Sequence, residues 1–405
     1  MAGSPVAVTG LGMYTPAGVG VAACWAGVSI GTPTARRDPA LAGLPVDISS
    51  RVPVEPAELL GARVARRMDR FVQFAVVAAR EAVADSGLDP ASWDGARVGV
   101  VLGCADGGPG TVERQHRVLL DQTAARVSPL LLPMQLPNMS AGQVCIDLGA
   151  TGPSLVVATA CASGATAIGL ARDLLTLDRC DVVLAGGSEA MITPLVMAGF
   201  AQMGALSRRV DDPSAASRPF DVHRDGFVAG EGATVLVLER PADANARGAR
   251  VRGLVAGFGA TADAHHVTAP GPGGRGCEQA MRAALADARI GPSDVDHVNA
   301  HGTSTQLNDS VEAKVIGRVL GDRPIVTSTK GVTGHMFGAA GAAEAAFAVL
   351  AIEHRLVPPT ANLTELDPGM AIQVADRPVS RDIRIAVSTS LGFGGQNAAL
   401  VLTAP

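Results

Sequence analysis

A chain of 405 residues is too long for one ordinary core and implies two domains or one duplicated fold. Its hydrophobic fraction of 47% against 18% charged residues excludes a disordered chain. A net charge of −5 argues against nucleic acid or an anionic membrane as the main partner, and no stretch approaches the roughly 20 apolar residues of a membrane span.

The start, MAGSPVAVTGLG, lacks the basic region and apolar segment of a signal peptide. Six cysteines (Cys24, Cys104, Cys145, Cys161, Cys180 and Cys277) are scattered without a CxxC pair, so neither disulfides nor structural zinc is expected, and a reducing cytoplasm is the expected location. Aromatics make up 3% of the chain and glycine numbers 48, so Ala, Val and Leu must fill the core, which suits close packing of helices on sheets.

In chain order, VAVTGLG from Val6 reads as the first strand. The arginines Arg63, Arg66, Arg67 and Arg70 follow, read either as a solvated helix face or as a dock for an acidic protein partner. DRFVQFAVVAAREAVADSG reads as a helix closed by Gly87. RVGVVLG from Arg97, SLVVATA from Ser154, DVVLAGG from Asp181 and ATVLVLE from Ala233 are continuous apolar runs, which predicts strands buried on both faces. The class is α/β.

The second half repeats the first in order. VRGLVAGFGATADAHH from Val251 echoes the opening strand; IVTSTKGVTGHMFGAAGAAEAAFAVLAI from Ile325 echoes SLVVATACASGATAIGLARDLL; GGQNAALVL from Gly394 echoes GEGATVLVL from Gly230. Two similar halves are therefore expected, residues 1–245 and 246–405, joined where RPADANARGAR reads as a surface connection.

Cys161 lies between two alanines at a strand-to-helix turn. Unpaired N–H groups at a helix start carry partial positive charge, which would lower the thiol pKa and hold an oxyanion. His301, in DHVNAHGTSTQLND, and His335, in STKGVTGHMFGAAGAAEA, each fall where a loop leaves the carboxyl end of a strand. Lys330 and Glu344 flank His335 and are expected to orient it. In STSLGFGGQNAA, glycines surround Phe393, whose N–H is a candidate second oxyanion donor. That loop is not a dinucleotide fingerprint, and GSEAMITPLVMAGF lacks the lysine of a phosphate-binding loop.

Together, VAVTGLGMYTPAG, LPNMSAGQ, ATACASG, VLAGGSEA, ASRPFDVHRDGFVAGEGA, VNAHGTSTQLND, TKGVTGHMFGAAGAAEA and GFGGQNAA closely resemble the β-ketoacyl-acyl-carrier-protein synthases, elongating condensing enzymes of the thiolase superfamily. The resemblance implies a thiolase-like five-layer αβαβα sandwich of two similar halves, acting as a dimer. It implies that Cys161 takes an acyl chain from acyl carrier protein. His301 and His335 would promote decarboxylation of malonyl carrier protein, Lys330 and Glu344 would support them, and the N–H groups of Cys161 and Phe393 would form the oxyanion hole. Phe393 would also gate the site, Thr303 and Thr305 would hold the phosphopantetheine arm, and Asp106 and Phe200 would line the acyl pocket. No metal or other cofactor is implied beyond the phosphopantetheine of the carrier protein.

Three positions depart from the housekeeping pattern. Asp106, in CADGG, replaces an apolar pocket residue; Leu391 stands where phenylalanine is common; QLND replaces PxGD. These favour the ketosynthase of a type II polyketide system, paired with a chain-length factor as a heterodimer. The alternatives are a housekeeping fatty-acid synthase acting as a homodimer and a non-catalytic chain-length factor, against which Cys161 argues. A thiolase would need a second cysteine near the C-terminus, and an initiating synthase an asparagine at position 335.

Overall fold

The computed structural model describes residues 4–405. The principal strands of the first half are β1 (Val6–Thr15), β2 (Val98–Gly103), β3 (Ser154–Val157), β4 (Val182–Glu189) and β5 (Gly232–Glu239). Those of the second half are β6 (Gly253–Ala262), β7 (His297–Asn299), β8 (Ile325–Thr327), β9 (Gln373–Val374), β10 (Ile385–Gly392) and β11 (Gln396–Thr403). The helices that matter here are α1 (Arg70–Ser86), α2 (Pro109–Asp121), α3 (Met139–Leu148), α4 (Ser163–Thr176), α5 (Pro194–Met203), α6 (Arg275–Ala288), α7 (Gln306–Leu320) and α8 (Ala340–His354).

These eleven strands join in one sheet with the path β9-β8-β7-β10-β11-β6-β1-β5-β4-β2-β3, and a twelfth, Gly18–Val19, pairs with β1 off that path. At its centre β1 and β6 pair antiparallel, Val6 opposite Val255 and Val8 opposite Gly253. Reading outward from that junction, β1, β5, β4, β2 and β3 are answered by β6, β11, β10, β7 and β8. The three sequence echoes fall on the pairs β1/β6, β3/β8 and β5/β11.

Each half-sheet is covered on both faces. α1 packs on β1 and β5 from outside, and α6 does the same on β6 and β11. α4 and α8 lie against one another between the half-sheets, and α8 is buried without interruption from Ala340 to Ile352. Helix, sheet, two central helices, sheet, helix make five layers, the thiolase-like architecture expected. The central approach is close because Gly164 carries no side chain: a Cβ there would stand 2.8 Å from the Ala342 nitrogen.

α1 forms as its pattern predicts, with Phe71, Phe74, Ala75, Ala78, Ala79 and Ala82 on the buried side and Gly87 closing it at φ 71°. The basic run does not stay together. Arg63, Arg66 and Arg67 are exposed, whereas Arg70 turns inward to the buried carboxylate of Glu231 at 2.7 and 2.9 Å and lies 4.9 Å from the Phe74 ring centre. A second expectation also changes. β3 is the edge of the sheet, paired only to β2, and Leu155 on it is 46% exposed rather than buried on both faces. The segment joining the halves folds as a short surface helix, Pro241–Ala246.

Candidate active site

The chain leaves β3, turns sharply at Ala160 with φ 48°, and places Cys161 immediately before α4. Ser163 fastens the turn: its Oγ accepts the Thr159 N–H at 2.9 Å and donates to the Ala160 carbonyl at 2.6 Å. The end of β10 comes in from the other half. A Cβ on Gly392 would stand 2.6 Å from the Thr159 carbonyl and 3.2 Å from the Cys161 nitrogen, so only glycine permits the approach. That approach turns the Phe393 N–H toward Cys161, where it favours the thiolate.

Cys161 is 9% exposed, and burial pushes its thiol up to about 12. Lys330 opposes the rise, while Glu189 and Glu344 add to it. The sequence-based expectation of a lowered thiol pKa is therefore corrected. Desolvation of the thiolate outweighs the field of the helix start, and the resting nucleophile is the protonated thiol.

His301 leaves the end of β7 in a turn held from α7. Glu312 accepts the N–H groups of His301 and Gly302, both at 2.8 Å, and the Thr389 hydroxyl at 2.6 Å. The Lys330 ammonium donates to the His301 carbonyl at 2.6 Å, stands 3.4 Å from its Nδ1, and pairs with Glu344. Lys330 thus buttresses His301, not the neighbouring His335 expected from sequence. An ammonium beside Nδ1 makes that nitrogen the acceptor and leaves the ring proton on Nε2.

His335 is held through its backbone, donating to the Val228 carbonyl at 2.7 Å and accepting the Gly230 N–H at 2.8 Å. Its ring meets Phe227 edge-on at 5.4 Å and lies 5.3 Å from His301 at 84°. Its Nδ1 is buried without a hydrogen-bond partner among the described residues. Burial, with the charge of Lys330, holds both imidazoles well below the ordinary histidine range, so both are neutral near pH 7. Burial likewise pushes Glu344 up to about 7, against the pull of Lys330.

One cavity of about 440 Å³ unites these groups. Cys161, His301, His335, Phe200, Phe393, Thr303 and Thr305 all line it. The two threonine hydroxyls are 2.9 Å apart, and the Phe200 ring stacks on Phe337 at 5.3 Å. Gln306, Leu307, Asn308 and Leu391, from the departures noted in the sequence, line it as well. Asp106 does not. Ala105 lines the wall, and Asp106 beyond it is exposed on this chain. The chain turns after β2, and among the described residues it is Ala105 rather than the expected Asp106 that reaches this cavity.

Sequence reasoning missed Glu312, Phe227, Phe337 and Glu189. A signal existed for the two phenylalanines. The chain has only nine, and four of them (Phe200, Phe227, Phe337 and Phe393) surround this cavity.

The two-half layered fold is that of the thiolase-like ketosynthases. The chain belongs to the beta-ketoacyl synthase family, whose N-terminal domain matches residues 3–244 and whose C-terminal domain matches residues 252–364. It is 42% identical to a 3-oxoacyl-[acyl-carrier-protein] synthase 2 of Staphylococcus aureus, covering 98% of this chain and 97% of the relative. The protein of the same name from Synechocystis sp. is also 42% identical, with the same coverage. Two solved structures superpose over 100% of both chains. One is a type II polyketide acyl-carrier protein in complex with its ketosynthase bound to the hexaketide (TM-score 0.93, 31% identity). The other is the ishigamide ketosynthase/chain length factor (TM-score 0.92, 33% identity).

Proposed function

We propose that this ketosynthase catalyses decarboxylative Claisen condensation of an acyl chain held on Cys161 with malonyl-acyl carrier protein, in polyketide chain elongation. The observation that carries the reading is the convergence of one thiol, two neutral imidazoles and the Phe393 N–H on a single cavity.

Cys161 sulfur attacks the thioester carbonyl of the acyl carrier. The N–H groups of Cys161 and Phe393 hold the oxyanion, and the phosphopantetheine thiolate leaves with the proton Cys161 gives up. Malonyl carrier protein then enters along Thr303 and Thr305. Its carbon–carboxylate bond breaks, CO2 departs, and the thioester oxygen takes the electron pair as an enolate. Neutral His301 and His335 donate Nε2–H to that oxygen, in a site where apolar walls exclude competing water. The α-carbon attacks acyl-Cys161, the tetrahedral adduct collapses, and the Cys161 thiolate leaves and takes a proton from solvent. The product is a 3-oxoacyl chain longer by two carbons. Loss of CO2 generates the carbanion, so no metal or redox cofactor is needed.

Exposed Arg63, Arg66 and Arg67, with no ion pair among the described residues, suit the acidic carrier protein. The unpaired edge of β3, with Leu155 and Ile146 (73% exposed) beside it, suits a second subunit, read here as a chain-length factor. The six unpaired cysteines accord with the cytoplasm.

With Asp106 outside the cavity, the polyketide reading rests on Gln306, Leu307, Asn308 and Leu391 in its wall and on the structural neighbours. A second reading, fatty-acid elongation by a homodimer, is favoured by the 42% identity to the synthase 2 relatives. Intact-mass measurement after incubation with acyl carrier proteins of graded chain length and unsaturation tests both. The wild type should gain one acyl mass, lost in Cys161→Ala. Rapid acylation of that variant elsewhere would overturn the assignment. A fully active homodimer preferring long saturated chains would establish the second reading.

A further inference from the structure

Glu189, the last residue of β4, is wholly buried and belongs to no ion pair among the described residues. Its partners come from both halves. Oε2 accepts the Ala105 N–H at 2.6 Å and the Gly338 N–H at 3.2 Å. Oε1 accepts the Asp106 N–H at 3.4 Å and the Cys104 thiol at 3.5 Å. Ala105 lines the cavity in the first half; Phe337, preceding Gly338, lines it in the second and lies 5.0 Å from the His335 ring. A Cβ on Gly338 would collide with this carboxylate, so the turn is built around it.

We propose that Glu189 is a positioning residue for the Cys161 site: it ties the cavity wall of one half to that of the other, and its negative charge opposes formation of the Cys161 thiolate. The first role follows from the bonds. Three N–H groups on two turns share one carboxylate, the Gly338 bond fully buried and the other two partly so, and losing it strands them. The second follows from placement: Ala105, whose N–H this carboxylate accepts, lines the same cavity as Cys161, and two anions in one dry region repel strongly. The charged and titratable groups that face Glu189 are Cys104 and Asp106 on the turn after β2 and Cys161 on the nucleophile turn; the opening of α8 contributes none. Lys330 and Glu344 also act on Cys161, the first favouring its thiolate and the second opposing it. Burial pushes the Glu189 carboxyl up to about 7, so its charge changes in the working range.

The test is the pH dependence of Cys161 alkylation by iodoacetamide, followed by intact mass, with Cys161→Ala as the blank. The alkylation readout does not depend on the proposed reaction. Glu189→Gln keeps an oxygen for Ala105 and Gly338 but cannot ionise. Its alkylation midpoint should move to lower pH, and a fall of about half a unit raises the rate at pH 8 about threefold. Glu189→Asp keeps the charge and should keep the wild-type midpoint. Coincident profiles for wild type and Glu189→Gln would overturn the charge role. Should Glu189→Gln not fold, Glu189→Asp carries the test: withdrawn by one methylene from the three N–H groups, it should lower kcat for condensation about tenfold with KM little changed. A wild-type kcat would overturn the positioning role. A wild type that condenses nothing would instead overturn the proposed function, leaving the alkylation result standing.

Discussion

The Lys330 ammonium donates to the His301 carbonyl at 2.6 Å while pairing with the buried carboxylate of Glu344, so one cation is shared between a catalytic candidate and a core acid. Placed behind the ring, it fixes the tautomer and keeps the imidazole neutral. That is the form able to donate a hydrogen bond to an enolate without protonating it outright.

Lys330→Met should leave Glu344 buried without its counter-charge, at a cost of about 3–5 kcal/mol in urea unfolding at pH 8. Lys330 is what holds the Glu344 carboxyl down against burial, so its loss raises that carboxyl further, and the cost should shrink between pH 8 and pH 6 as the acid takes a proton. Equal destabilisation at both pH values would argue against a charged pair.

Replacing either histidine with alanine should separate the half-reactions. CO2 release from malonyl carrier protein should fall at least about 100-fold, whereas acyl transfer to Cys161 persists. Radiolabelled CO2 and intact mass read the two steps independently. Loss of both together would point to collapse of the cavity instead.

Gly392→Ala should act on the oxyanion hole through the backbone. Its Cβ would meet the Thr159 carbonyl at 2.6 Å, forcing Phe393 and its N–H away from Cys161. A loss of about 100-fold in kcat is expected for one displaced donor. Unchanged kcat would mean the Phe393 N–H holds no charge in the transition state.

His297, fully buried with Nδ1 on the Ile325 carbonyl at 2.8 Å, is lowered by burial to about 4. A histidine depressed from its unfolded value of 6.5 contributes stability that is present above 6.5 and lost as pH falls toward 4. The loss amounts to about 3 kcal/mol over that window. Chemical unfolding across pH 4–7 should show it, and His297→Gln should remove this part of the slope.

The sequence by itself determined the α/β class, the strands written as apolar runs and the order in which similar segments recur, and it offered Cys161, His301 and His335 as reactive side chains. Those signals are local: an apolar run, a turn of small residues, a reactive side chain and then a helix, written twice in one order. Only the tertiary structure decided which groups touch. Lys330 reaches His301 because β7 and β8 run side by side in parallel, although His335 is nearer in sequence. Arg70 leaves its basic neighbours because buried Glu231 needs a cation, and β3 lies exposed because the sheet ends there. Glu189 and Glu312 are ordinary acids in the sequence; their roles come from N–H groups that the fold delivers from distant segments. The thiol of Cys161 is raised rather than lowered because desolvation depends on everything packed around an atom, and a motif records only the residues beside it.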